Sequence, residues 1–235
     1  MRRLLSILCL AGSLLTSLAA AEKRTPESAI TPVDPSRHSQ FLAKIAAAKG
    51  DFDLVLVGDS ITDFWPWNGK TSYAQLAPWK PLNLGVTSER TEQVLWRLQN
   101  GELDNIHPKA VMVMIGTNNL GLFPDEKPEW AATGVAAILD TIKAKQPQAK
   151  ILLLAIFPRS EKPTDPIRLR VEATNKLLVQ VAAEKQVAYL DIGAKFLTPD
   201  GILTKEIMED FLHPHERGYQ IWLDAVKPTL AEMMR

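Results

Sequence analysis

A three-layer α/β/α fold, flavodoxin-like, built on a five-stranded parallel sheet is what the 235-residue sequence predicts. Two observations carry the prediction. Five short apolar runs, at Leu54–Val57, Pro81–Leu84, Val111–Ile115, Ile151–Phe157 and Val187–Asp191, are mostly continuous rather than alternating, the pattern of strands buried on both faces. The segments between them have helical spacing instead. Val94, Leu95 and Leu98 form one stripe; Val135, Ile138, Leu139 and Ile142 a second; Ile167, Val171, Leu178 and Val181 a third. Such alternation of strand and helix places helices on both faces of a parallel sheet. A last helix is expected from about Glu216 to Met234, with Pro228 as a kink or break.

The fold does not use the whole chain. Arg2 and Arg3 precede an uncharged apolar run from Leu4 to Leu18, and Ala19-Ala20-Ala21 supplies small residues for cleavage before Glu22. This is the pattern of a secretory signal peptide over residues 1–21, and the run is short of the roughly 20 apolar residues of a membrane span. The chain is therefore expected to be secreted or periplasmic. Cys9, the only cysteine, lies in this segment, with Leu8 where a lipoprotein signal would want a small residue. The mature chain is read as having no disulfide, no thiol chemistry and no lipid anchor. Residues 22–36, with Pro26, Pro32 and Pro35, read as an exposed leader, and residues 37–235 as a single domain. Cleavage removes two arginines and no acid, taking the net charge from 0 to −2. Nothing in that balance points to nucleic acid or to an anionic membrane surface.

In open parallel sheets, ligands sit beyond the carboxyl ends of the strands. The first three strands end on Gly58-Asp59-Ser60, Asn83-Leu84-Gly85 and Gly116-Thr117-Asn118-Asn119, so Ser60, Gly85 and Asn118 are expected at one edge. A serine nucleophile there needs a base, a group to orient the base, and donors for the developing oxyanion. His38 lies in the leader region and His107 in a loop ahead of the third strand. Near the end, Asp210 and His213 stand three apart on a segment that Pro214 marks as a loop. That spacing lets the carboxylate hold one ring nitrogen and leaves the other for a serine.

Each signal has a plainer reading. Ser60 serves equally well as a helix N-cap, Gly-Thr-Asn-Asn is an ordinary turn sequence, and Asp210, His213 and His215 are residue types that bind metal. A metal is disfavoured because no second His/Asp/Glu cluster accompanies these three and Pro214 would have to orient two close histidines around one ion. A phosphate cradle at Ser60 is disfavoured because neither GxGxxG nor GK[ST] occurs. No metal and no organic cofactor is expected.

The blocks together are more specific than their parts. Gly58-Asp59-Ser60, Asn83-Leu84-Gly85, Gly116-Thr117-Asn118-Asn119 and Asp210-Phe211-Leu212-His213-Pro214 follow in this order over nearly the whole mature chain. In them the sequence resembles the SGNH (GDSL-type) esterase/lipase family. The stretches VLWRLQNGELDNIHPKAVMVMIGTNN, QPQAKILLLAIFPRSEKP and DFLHPHERGYQIW look like the branch of that family formed by the catalytic subunits of intracellular platelet-activating factor acetylhydrolase. The resemblance implies that Ser60 is the nucleophile, His213 the base and Asp210 its partner. It implies an oxyanion hole made by the N–H groups of Ser60 and Gly85 and the side-chain amide of Asn118. One departure stands out. After Gly85-Val86 the family often has two glycines, whereas this chain has Thr87-Ser88. A β-branched Thr87 resists positive φ, so this loop is expected to be shaped differently, with Ser88 capping a helix that begins near Glu89.

The function expected is that of an exported serine esterase hydrolysing short-chain carboxylic esters, acetyl above all, through an acyl-enzyme. The acetyl preference comes from the resemblance. The partner is a small ester, an acetylated sugar or glycan or a lipid like platelet-activating factor; nucleic acid is not expected, and a homodimer is compatible with the sequence. Phe64, Trp65, Trp67, Tyr73 and Trp79 follow the nucleophile directly and are expected either to pack in the core or to wall a narrow acyl pocket. Two rivals stand against this reading: a non-catalytic glycan-binding module retaining the SGNH fold, and a doubly wound phosphate- or flavin-binding protein. Intact Ser60, Asp210 and His213 disfavour the first and the missing phosphate motifs the second.

Overall fold

The computed structural model describes residues 25–123 and 125–235; the signal-peptide segment 1–21 lies outside them. Among the described residues, five parallel strands form one sheet: β1 (Leu54–Gly58), β2 (Pro81–Gly85), β3 (Ala110–Met114), β4 (Lys150–Leu154) and β5 (Ala188–Leu190). Their order is β2-β1-β3-β4-β5. This is the flavodoxin-like order expected from the sequence, and it reverses direction between β1 and β3, which opens a crevice at their carboxyl ends. In register, Gly58 lies opposite Gly85 on one side and Met114 on the other, so the three strands end level.

The helices are α1 (Pro35–Ala47), the short α2 (Ser60–Asp63), α3 (Trp65–Asn68) and α4 (Lys70–Ala74), then α5 (Thr91–Arg97), α6 (Thr117–Leu122), α7 (Pro128–Lys145), α8 (Pro166–Glu184) and α9 (Glu216–Met233). Alternate strand residues face opposite layers, as period-2 geometry requires. Val55, Val57, Leu82, Leu84, Val111, Val113, Ile151 and Leu153 pack under α1, α5, α7 and α8, against residues such as Phe41, Val94, Ile138 and Val171. Leu54, Leu56, Met112, Met114, Leu152 and Leu154 face the other way, onto Ile61, Trp65, Tyr219, Trp222 and Val226 of α2, α3 and α9. Both faces are thus covered, which is why the strands read as unbroken apolar runs. Each buried leucine or isoleucine contributes about 1.5–3 kcal/mol relative to exposure. None of the described helices is long and apolar enough to cross a membrane.

The fold departs from expectation at several points. The apolar run Ile151–Phe157 leaves the sheet after Leu154, because Ile156 exchanges both backbone bonds with the side-chain amide of Asn175 on α8 (2.8 and 2.9 Å). Pro228 neither breaks nor ends α9, which runs through it. Pro228 and Asp224, whose carbonyl loses its helical donor, both face solvent, where water can take the freed bond. His38 belongs to α1, and so do Pro35 and Ser36 of the expected leader; Asp34 caps this helix through Ser36 N–H at 2.9 Å. Within 25–34, Pro32 is buried and Ile30 N–H donates to Glu92 O at 3.2 Å, so this segment lies along α5.

Candidate active site

Ser60 follows the end of β1 and begins α2. The Asp59 side chain caps this turn, accepting from Ile61 N–H at 3.0 Å, so the Ser60 hydroxyl is free of that duty. Glycine precedes them for a steric reason. A Cβ on Gly58 would lie 2.1 Å from Thr62 Oγ1 and 2.6 Å from the Met114 carbonyl. Only a residue without one lets the turn fold back over the strand end.

The hydroxyl meets a histidine from 153 positions away in sequence: Ser60 Oγ lies 2.9 Å from His213 Nε2. His213 Nδ1 lies 2.6 Å from Asp210 Oδ2. An ionised carboxylate only accepts, so the Nδ1 proton points at Asp210 and the Nε2 lone pair faces the serine. Asp210 also fixes its own loop, accepting from Leu212 N–H (3.0 Å) and His213 N–H (2.8 Å) through Oδ1. Partial burial works to raise the Asp210 carboxyl, but these bonds and the ring of His213 outweigh it and hold it below the usual carboxylate range. Phe64 lies against the His213 ring, centroids 5.2 Å apart. His215 lines the same cleft as His213 but pairs with Glu209, at 3.6 Å. Both nitrogens of His213 are therefore engaged by Ser60 and Asp210, and among the described residues no group of three His, Cys, Asp or Glu is placed to hold a metal.

Asn118 reaches the same edge from α6. Its Nδ2 donates one proton to Glu89 O at 2.9 Å and retains a second. Its neighbour Asn119 faces inward, accepting from Thr91 N–H at 3.0 Å and so tying α6 to the start of α5. Gly85 is placed differently from the sequence reading. Its N–H is already donated to Asn83 Oδ1 at 2.8 Å, and Asn83 Nδ2 in turn holds Thr62 O at 2.7 Å. A Cβ on Gly85 would lie 2.2 Å from Asp63 N, so its glycine serves the close approach of β2 to α2.

The positive φ of the following loop falls on Ser88 (+65°), not on Thr87, and α5 begins at Thr91 rather than near Glu89. Glu89 N–H closes a turn onto Val86 O at 3.3 Å with Thr87 and Ser88 at its centre. Positive φ at the third position is the pattern of a type II turn, where glycine is favoured. The Ser88 N–H has no acceptor among the described residues. Thr87 Oγ1 donates to Asp63 Oδ2 at 3.0 Å, pinning the loop's outer side.

Beside the nucleophile, Asp59 is fully buried, and among the described residues its Oδ2 has no hydrogen-bond partner. Burial pushes its carboxyl up to about 7, against the bond from Ile61 and the nearby Arg159. The native state therefore holds this proton more tightly than the unfolded chain, and the group withdraws stability as pH rises from its ordinary 3.8 to about 7. Arg159, which the sequence reading passed over, donates to Thr117 O at 3.0 Å behind Asn118. Of the aromatic stretch, Trp65 is core: it stacks on Trp222 at 4.1 Å and donates to Ser72 Oγ at 2.9 Å. Trp67 is 69% exposed, and Phe64 alone touches the histidine.

A strand-end serine hydrogen-bonded to a carboxylate-held imidazole, on a flavodoxin-like sheet, defines a site able to move a proton from hydroxyl to ring and back. The model of the GDSL-like Lipase/Acylhydrolase family matches residues 56–221, and the chain belongs to that family; the protein is an ester hydrolase. Its relatives include platelet-activating factor acetylhydrolase IB subunit alpha2 of Rattus norvegicus, 38% identical over 78% of this chain and 77% of the relative. The alpha1 subunit of Homo sapiens is 32% identical over 84% of this chain and 86% of the relative. The fold also matches a GDSL-like lipase from Bacteroides thetaiotaomicron, with a TM-score of 0.71 at 17% identity, covering 85% of this chain and 99% of the other.

Proposed function

We propose that the protein is an exported serine esterase that cleaves short-chain, chiefly acetyl, esters through an acyl-enzyme. The Ser60–His213–Asp210 hydrogen-bonded chain is the observation that carries this reading. Ser60 Oγ attacks the ester carbonyl carbon as its proton passes to His213 Nε2. The imidazolium, stabilised by Asp210, returns that proton to the leaving alkoxide, and the acyl-serine remains. His213 then takes a proton from water as the water oxygen attacks the acyl carbon, and passes that proton to Ser60 Oγ as the acid leaves. Export rests on Arg2, Arg3, the apolar run Leu4–Leu18 and the alanines at 19–21. The acetyl preference rests on the acetylhydrolase names of the relatives at 32–38% identity. The alcohol side is assigned to an acetylated carbohydrate or a lipid like platelet-activating factor. Treatment with a fluorophosphonate probe, followed by mass spectrometry of the tryptic peptides, tests the reading. The adduct is expected on Ser60, and an unlabelled Ser60 in active enzyme would overturn it.

The oxyanion hole is assigned to the N–H of Ser60, the side-chain amide of Asn118 and the N–H of Ser88, the last in place of Gly85, whose N–H is occupied. Asn118→Ala is expected to lower kcat roughly 10²–10³-fold with a smaller change in KM, the cost of one preorganised donor. Steady-state kinetics on p-nitrophenyl acetate decide this, and a change confined to KM would move Asn118 to substrate binding.

Chain length tests the acyl side. Rates on p-nitrophenyl esters are expected to fall steeply from acetate to butyrate and to be negligible at octanoate, because each added methylene must find room in a close-packed site. Phe64, packed on His213, is the aromatic side chain to which this limit is assigned. Octanoate cleaved as fast as acetate would remove the acetyl preference.

A further inference from the structure

We propose that Glu89 and Arg97 are positioning residues that set the geometry of the oxyanion hole, a role that rests on the assignment of Asn118 and Ser88 to that hole. Arg97 is fully buried and its guanidinium spans the base of the Val86–Glu89 turn. Its Nη2 donates to Leu84 O at 3.0 Å, at the end of β2, and its Nε donates to the Glu89 carboxylate at 2.7 Å, just past Ser88. One rigid fork thus holds both ends of the loop that carries the Ser88 N–H. Glu89 completes the device through its backbone: its N–H closes the turn onto Val86, and its carbonyl accepts from Asn118 Nδ2 at 2.9 Å. Both proposed donors, the Ser88 peptide and the Asn118 amide, are therefore referenced to one residue.

The network continues inward. Arg97 Nη1 pairs with Glu102, which is fully buried and accepts from His38 Nδ1 of α1 at 2.9 Å. Two carboxylates and an arginine with no solvent access are poor sources of net stability, since desolvation offsets their attraction. What they supply is a single geometry. The loop needs it, because Ser88 holds a left-handed φ that strains a non-glycine residue and persists only where the surroundings impose it. An apolar pair of the same volume would fill the space but would leave the turn free to relax and the donors free to drift.

The test compares Glu89→Ala, Glu89→Gln and Asn118→Ala in the full chain, with p-nitrophenyl acetate as substrate and thermal melts for fold. Glu89→Ala is expected to lower kcat by roughly 10- to 100-fold with KM within about threefold, the size of effect that a misplacement of about 1 Å produces. Glu89→Gln keeps an oxygen for Arg97 and leaves the Arg97–Glu102 pair balanced; it is expected to recover most of that loss. On the Asn118→Ala background, Glu89→Ala is expected to cost clearly less than it does alone, since one donor it positions is gone. If Glu89→Ala fails to fold, the triple variant Glu89→Gln, Arg97→Met, Glu102→Gln leaves no carboxylate or guanidinium in the network and still cuts the clamp; it is expected to show the same loss in kcat. A folded Glu89→Ala or triple variant with wild-type kcat, beside an impaired Asn118→Ala, overturns the positioning role alone. Full additivity of the Glu89 and Asn118 effects overturns it too. Wild-type kcat in Asn118→Ala overturns the hole assignment and the positioning role with it.

Discussion

Ser60→Ala is expected to lower kcat on small acetyl esters by roughly 10⁴-fold or more while leaving the fold intact. The Oγ removed makes one contact of consequence, the 2.9 Å bond to His213. The cap of α2 belongs to Asp59, and the turn's close packing belongs to Gly58, so neither leaves with the hydroxyl. Ser60 is only 4% exposed, and alanine fits without adding atoms to a close-packed turn. Stability should therefore change by no more than about 1 kcal/mol. The check is kcat beside a thermal melt and a fluorophosphonate labelling run. A folded variant that kept more than a few per cent of wild-type kcat would show that the nucleophile lies elsewhere. A wild-type enzyme that bound acetylated glycans, took no label and turned over no ester would instead point to a binding module that keeps the fold.

Asp210→Asn should be nearly as severe, on the order of 10⁴-fold in kcat, for a different reason. The asparagine Oδ1 can go on accepting from Leu212 and His213 N–H, so the loop keeps its shape. Its Nδ2 then faces His213 Nδ1 as a donor. The ring must present a lone pair there and move its proton to Nε2, where it points at Ser60 and cannot act as a base. Asp210→Ala tests this, because it frees the ring to choose its tautomer and should retain more activity than the isosteric asparagine if the wrong tautomer is the main loss. Equal activity in the two variants would reduce Asp210 to a charge partner. The carboxyl lies below its ordinary range in the folded state, so the stability it contributes is present above the unfolded pKa and is lost as pH falls through the folded one. Down to about pH 4, an ordinary value for a carboxylate, Asp210 should add no ionisation of its own to the kcat/KM profile, which pH–rate measurements on wild type and Asp210→Asn can check.

The sheet and the paired blocks were legible in the sequence because their signals are local. A strand covered on both faces must be apolar at every position, and Leu54–Val57 and Val111–Ile115 are. Asp210 and His213 are three apart on one loop, so their bond needs only the local turn that Asp210 itself caps. The Ser60 hydroxyl at a strand end is local as well, and the rule that ligands gather at carboxyl ends brought Asn118 beside it.

Only the tertiary structure decided where the backbone donors point and which aromatics are core. Gly85 looks like a donor in sequence, but its N–H belongs to Asn83 and its missing Cβ makes room for Asp63, a neighbour supplied by another element. The strain expected at Thr87 sits instead on Ser88, because the turn closes at Glu89, and Glu89 is held there by Arg97 from within the core. Trp65 and Phe64 are adjacent in the chain, yet one stacks on Trp222 of the last helix and the other packs at a tilt against His213. A φ value, an occupied N–H and a buried ion pair are all set by partners distant in sequence, and a one-dimensional pattern holds no record of them. What the sequence determined by itself was the chemistry at hand: a strand-end serine, an imidazole three residues from its carboxylate, and an amide at the end of the third strand.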